Sequence, residues 1–282
     1  MKQVIACIDG SAASIAVCDY AAWASTRLAA PLTFLHVLDE PPIVRSDLSG
    51  NLGIDSRIRL MNELVALDER RGRLARENGQ YLLEAAKHHV DDLGVVHPQS
   101  HLRYGTLVDC LKDVEADTGL VVIGRHGGRR NAGIDVVGSQ VENVVRAISC
   151  PVLVASSRFA IAQRFLIGYD GSDTAQRCVE KLAASTLLKG LDCHLLMVGG
   201  QTTSSHEQIC WAKDTLQQHG YAVTTAIHGG EADAVIANYC KAERIDLLVM
   251  GAYGHSRIRQ FFVGSTTTKM LQQAQIPLLL VR

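Results

Sequence analysis

The chain has 282 residues, 47% of them hydrophobic, with 28 Lys and Arg against 29 Asp and Glu and a formal net charge of -1. That length suits one large domain or two ordinary ones, and the charge balance excludes a chain-wide basic surface for nucleic acid or an anionic membrane. Only 5% of residues are aromatic, so the core is aliphatic.

In chain order, MKQVIACIDG has an apolar run too short for a signal peptide and turns at once into Asp-Gly. No segment approaches the roughly 18 apolar residues of a membrane span, and the expectation is a cytoplasmic chain. VIACIDGSAAS (4–14) reads as a strand, a turn and a helix start, and LTFLHVLDE (32–40) as a second strand. The segment 41–95 is charged and carries Gly72 and Gly79 as interruptions. It reads as an extended crossover helix; a lid or partner-binding arm is the alternative. LVVIGRHG (120–127) is another strand and turn. Val141, Val144, Val145 and Ile148 then recur at helical spacing, and CPVLVAS (150–156) closes the half.

After SSRFAIAQ (156–163) the order repeats. FLIGYDGSDTA (165–175) matches 4–14, CHLLMVGG (193–200) matches 32–40, LLVMGAYG (247–254) matches 120–127, and IPLLLVR (276–282) matches 150–156. Ala175, Val179, Leu182 and Thr186 share one helical face, as do Thr267, Met270, Leu271 and Ala274. Apolar runs polar on neither face suit parallel strands covered on both sides. The reading is two domains, 1–157 and 163–282, each a doubly wound α/β unit with a mostly parallel five-stranded sheet. The apolar closing strands are expected to pair with each other within the chain, because an unpaired apolar edge aggregates. The result is a pseudo-two-fold intramolecular dimer; further homodimerisation stays open.

Eight cysteines occur without a CxxC pair. They read as small buried hydrophobes in a reducing compartment rather than as metal or redox ligands. His88-His89 has no HExxH context.

In an open parallel sheet, ligands bind beyond the carboxyl ends of strands where the strand order reverses. Two turns would face that crevice in each half: IDGSA (8–12) with GRHGGRRNAGIDVVGSQ (124–140), and YDGSD (169–173) with GAYGHSRIRQFFVGSTTT (251–268). Gly264-Ser265 precedes a helical pattern, so its amides stand at a helix N-terminus suited to an anion. Asp170 follows a strand and suits ribose hydroxyls. Ser172 suits the cap of the next helix. No Walker loop and no GxGxxG occurs, and Lys269 stands too far along its helix for a Walker lysine. The first-half loop has ten residues between Gly127 and Gly138 where the second has nine, and it adds Arg125, Arg129 and Arg130. These arginines suit either an anion or solvent. Gly119 stands where the second half has Asp246.

Both halves resemble the universal stress protein family, and the whole chain resembles its tandem two-domain members. IDGS and YDGS, LHVLDE, LVVIG and LLVMG, both glycine loops and the closing strands carry the likeness. Residues 251–265 match the G-2x-G-9x-G(S/T) spacing of ATP-binding members without a gap. The resemblance implies phosphates at Gly251, Gly254, Gly264 and Ser265, ribose at Asp170 and adenine near Val198. The matching first-half set is Asp9, Val37, Gly124, Gly127, Gly138 and Ser139, whose longer loop puts occupancy in doubt. It also implies ATP, with or without Mg2+, and a sensor or adaptor in a stress response. Slow ATP hydrolysis, self-phosphorylation, nucleotidyl transfer and a different small ligand stay open as alternatives. No nucleophile with an orienting base stands at a readable spacing.

Overall fold

The computed structural model describes residues 2–39, 54–125, 139–251 and 265–282. Within the first half, β1 (Gln3–Cys7) leads to α1 (Ser14–Leu28), β2 (Leu32–Leu38), the long α2 (Ile54–Asp91) and β3 (Gln99–Tyr104). Then come α3 (Leu107–Lys112), β4 (Thr118–Gly124), α4 (Ser139–Ala147) and β5 (Val152–Ala155). The second half repeats the series as β6 (Arg164–Tyr169), α5 (Asp173–Ala184), β7 (Asp192–Val198), α6 (Thr203–Gln218) and β8 (Val223–His228). It closes with α7 (Ala232–Ala242), β9 (Leu247–Gly251), α8 (Ser265–Gln273) and β10 (Leu278–Val281).

The ten strands form one sheet in the order β3-β2-β1-β4-β5-β10-β9-β6-β7-β8. Neighbours within each half are parallel. The join is the antiparallel pair β5–β10, where Leu153 faces Leu279. These two leucines are equivalent in the repeat, so a pseudo-two-fold axis passes between them. The expected internal pairing of the closing strands is what the chain does, and it hides two apolar edges that would otherwise invite aggregation.

One core layer packs α1, α2, α5 and α6 on one face of this sheet. The other packs α3, α4, α7 and α8 on the opposite face. Phe34, Leu153, Phe165, Leu195 and Leu196 are fully buried between or beneath these layers. Further bonds stitch the halves together. Arg27 Nε donates to the Leu187 carbonyl at 2.9 Å, and Thr186 Oγ1 donates to the Arg27 carbonyl at 2.9 Å. The 156–163 connection is held too: the Tyr20 ring meets Phe159 edge-on at 4.8 Å, and its hydroxyl lies 2.9 Å from Ser156 Oγ.

Two expectations need correction. Gly72 and Gly79 do not interrupt α2, which runs through both. Gly79 sits where the helix crosses the sheet: a Cβ there would lie 2.8 Å from the Leu102 side chain and 2.9 Å from His36. The glycine allows close packing rather than a turn. Thr186 is not on the buried face of α5, because that helix ends at Ala184 with Ser185 extended at its C-cap.

Candidate nucleotide site

The strand order reverses between β1 and β4 in the first half and between β6 and β9 in the second. Because β5 and β10 run antiparallel, the two crevices open at opposite ends of the sheet.

In the second half, Tyr169 ends β6 and the chain turns through Asp170-Gly171. Gly171 has φ +73, which favours glycine, and the Gln208 side-chain amide of α6 lies over the position a Cβ would take. Asp170 is exposed, and its Oδ1 accepts from the Ser172 amide at 3.0 Å. Ser172 caps α5, its hydroxyl accepting from the Ala175 amide at 3.3 Å, as the sequence suggests. Across the crevice, Gly251 ends β9. A Cβ on it would stand 3.3 Å from Thr174 Cγ2 and 3.4 Å from the Thr174 carbonyl. The strand end and the first turn of α5 therefore approach as closely as a glycine permits.

Between them lies a cavity of about 250 Å³. Asp170 and Gly251 line it, and Val198 closes its β7 side. Its floor is apolar, made by Gly168, Leu196, Met250 and Ile236. Three helices begin at its rim: α5 at Ser172 and Thr174, α7 at Ala232, and α8 at Thr266 and Thr267. The partial positive charge at each N-terminus makes the rim favourable to an anion, although at α5 the Ser172 hydroxyl already holds the Ala175 amide. No side chain caps α7 among the described residues. Lys269 is engaged with Asp233 of α7 at 3.2 Å rather than with the cavity. Thr267 is buried.

Of the second-half residues singled out in the sequence, Asp170, Val198 and Gly251 come together around this cavity. Ser265 is the first residue of α8, while Gly254 and Gly264 lie outside the described residues. Sequence reasoning did not place the start of α7 or Gly168 at the crevice. The run GGEAD (229–233) after β8 is the signal that a helix starts toward the crevice there. Gly168 shows only in the sheet register, opposite Met250 and Leu196.

The first half has the same turn with different chemistry. Gly10 has φ +75, and Leu82 of α2 packs where Gln208 does in the second half. Asp9 Oδ1 accepts from the Ser11 amide at 2.9 Å and from Ser14 Oγ at 3.2 Å. Ser14 in turn accepts from the Gly10 amide at 3.1 Å. Val37 is the penultimate residue of β2, Gly124 ends β4, and Ser139 opens α4. Gly127 and Gly138 lie outside the described residues, as do His126, Arg129, Arg130 and His255. Cys7, buried, stands where the second half has Gly168; burial and then its Cys150 and Cys110 neighbours push its thiol up to about 12. Thr106 caps α3, accepting from the Asp109 amide at 3.1 Å, and Asp109 adds a carboxylate to that first turn.

Arg125 is not solvated, one of the two roles the sequence alone allowed. It is buried, and its Nη2 donates to the Ile276 carbonyl at 2.9 Å, reaching across the β5–β10 seam. Asp246 is structural as well, with Oδ2 accepting from the Gln163 and Arg164 amides at 2.8 and 3.0 Å to fix the start of β6. His89 pairs with Asp19 at 2.7 Å. Among the described residues no group of three His, Cys, Asp or Glu converges to hold a metal, and no helix is long and apolar enough to cross a membrane.

The family model "Universal stress protein family" matches residues 1–156 and 199–282. The chain belongs to the universal stress protein family. A universal stress protein of Synechocystis is 31% identical over the full length of both chains, and one of Mycolicibacterium smegmatis is 24% identical over 98% of this chain and 95% of its own. Both relatives span the whole repeat, so this is the tandem two-domain type. Among solved structures, a universal stress protein from Archaeoglobus fulgidus superposes with a TM-score of 0.67 at 18% identity, covering 99% of this chain and 98% of its own. That likeness shows the fold.

Proposed function

We propose that this universal stress protein binds an adenine nucleotide, ATP, in its second-half crevice, and that it acts as a stress-response sensor or adaptor rather than a turnover enzyme. The observation that carries this reading is the convergence of three helix N-termini and Asp170 on one cavity with an apolar floor. These residues fit the group. The α7 and α8 amides would receive phosphate oxygens, and Gly251 would let backbone approach them. Asp170 would accept from ribose hydroxyls. Val198 and Leu196 would lie along the base, above the space that Gly168 leaves open. Bound ATP would supply a tetraanionic phosphate chain for those amides to hold.

Calorimetric titration of the full chain with ATP tests the reading. One site of micromolar affinity is expected. Absence of heat and of competition with a fluorescent adenine analogue sinks it. Pyrophosphate release that depends on a second substrate and repeats over many turnovers would favour a nucleotidyl-transfer enzyme instead.

A further inference from the structure

The turn that carries Asp170 is gripped at both ends of a single peptide unit. Gly171 and Ser172 share one planar peptide group, whose carbonyl and N–H point in opposite directions. Its N–H, from Ser172, donates to Asp170 Oδ1 at 3.0 Å. Its carbonyl, from Gly171, accepts from Gln176 Nε2 of α5 in a long bond of 3.4 Å. One rigid plane therefore connects the Gln176 amide to the Asp170 carboxylate. If the plane rotates, the carbonyl leaves Gln176 and the N–H leaves Asp170 together. Gly171, at φ +73, has no side chain to resist that rotation, and the Gln208 amide covers it from α6.

The first half holds the same turn by other means. In the repeat, Ile15 stands where Gln176 does, Ile8 where Tyr169 does and Leu82 where Gln208 does. An isoleucine offers the Gly10 carbonyl no donor. Asp9 is fixed directly instead, its Oδ1 accepting from both the Ser11 amide and Ser14 Oγ. In the second half Ala175 stands where Ser14 does, so that position offers Asp170 no hydroxyl. Three polar residues on three elements thus replace three aliphatic ones behind the turn. Stability alone does not ask for this exchange. The Tyr169 hydroxyl is buried beside Gln176 and completes no hydrogen bond among the described residues, an arrangement that costs folding energy.

We infer that Gln176 is a positioning residue for Asp170. It anchors the Gly171 peptide from the core side and so aims the carboxylate. Because no serine stands at 175, the carboxylate keeps more of its acceptor capacity for hydroxyl groups of a ligand. This use of Asp170 rests on the nucleotide reading above.

Amide exchange followed by NMR on the full chain without ligand tests the anchor. Gln176→Leu should speed exchange of the Ser172 amide about tenfold. Ser11, held by Asp9 in the first half, should exchange as in the wild type. Gln176→Glu keeps the shape, loses the donor and should match Gln176→Leu. Gln208→Leu should leave Ser172 exchange within about twofold of wild type, since Leu82 covers Gly10 in the same way. Calorimetry tests what the anchor does. The loss of affinity on replacing ATP by 2′-deoxy-ATP or 3′-deoxy-ATP should shrink about threefold in both Gln176 variants. A residue that only packs would lower the melting midpoint and leave that ratio as it is. Unchanged Ser172 exchange in Gln176→Leu overturns the proposal. So does faster exchange with an unchanged deoxynucleotide ratio, and so does equal acceleration by Gln208→Leu. A wild type that binds no ATP sinks the nucleotide reading instead, and Ser172 exchange then decides alone whether Gln176 anchors the turn.

Discussion

The two crevices share a backbone and differ in a few atoms. Each has a glycine in the left-handed region after its aspartate, a valine at or one short of the end of the neighbouring strand and a glycine at the end of the fourth. In the second half the floor is Gly168 and three helices begin at the rim. In the first half the floor position is filled by Cys7, Ser14 is tied to Asp9, and Thr106 caps α3, whereas no side chain caps its counterpart α7 among the described residues. The difference teaches that a duplicated fold keeps its turns because the backbone demands them. Its chemistry drifts at positions whose only task is to leave room or leave amides unpaired.

The largest expected effect comes from Gly251→Val. The new side chain would press on the Thr174 carbonyl and the start of α5, an overpacking cost of about 1–3 kcal/mol that closes the crevice. ATP affinity should fall about 100-fold or more by calorimetry. Gly124→Val, the matching change in the first half, should leave affinity within about twofold of wild type. Equal losses from both variants would break the asymmetry.

A sharper pair exchanges the floor residues. A Cβ on Gly168 would meet Met250 and Ile236 at 3.6 and 3.7 Å, ordinary contact distances, so Gly168→Cys should fold normally. The thiol would occupy space beneath the base, and affinity should drop about tenfold. Cys7→Gly should open the first-half floor. The expected calorimetric outcome is a second, weaker ATP site, with stoichiometry rising from one to two. A Gly168→Cys chain that binds like wild type shows that the floor does not choose the site.

Below these stands Asp170→Asn. The amide keeps the size but gives up the charge-assisted acceptor for hydroxyl groups, a difference of about 1 kcal/mol and hence roughly fivefold in affinity. Titration with 2′-deoxy-ATP checks the assignment, since an Asp170 acting on ribose should lose less when that hydroxyl is absent.

Much of this was readable in the sequence because it is set by strong local rules. Apolar runs followed by Asp-Gly or by spaced glycines fix strand ends, and two matching series fix the repeat. The apolar closing strands foretell the β5–β10 seam. What escaped depends on spatial neighbours. Gly168 looks like any strand residue until the register sets it beside Leu196 and Met250. Gly79 resembles a helix breaker, but tertiary contact with His36 and Leu102 keeps the helix going. Arg125, one residue beyond Gly124, reads as a solvated loop residue as readily as an anion ligand until the seam places Ile276 within its reach. The sequence pattern cannot distinguish these cases because it does not say which element lies opposite.

The smallest effect tests the floor through stability rather than binding. The buried Cys7 thiol ionises near pH 12 in the folded chain against 9.0 for an ordinary thiol, because burial penalises the thiolate. Below pH 9.0 the thiol is protonated in both states and its contribution is fully present. As pH rises above 9.0, the unfolded chain releases the proton and the folded chain does not. Folding stability therefore falls from about pH 9 until the folded thiol itself titrates near 12. Cys18, Cys178 and Cys193 are raised to about 12 as well, burial being the main cause, so wild type should show a steep alkaline decline in melting midpoint. Cys7→Gly removes one such group and should flatten that decline by a few degrees, after normalising to each protein's midpoint at pH 7. Gly168→Cys adds a thiol among Leu196, Met250 and Ile236 and should steepen it. If Gly168→Cys leaves the alkaline limb unchanged, water reaches the second-half floor, and the apolar character argued for the base of that cavity is wrong.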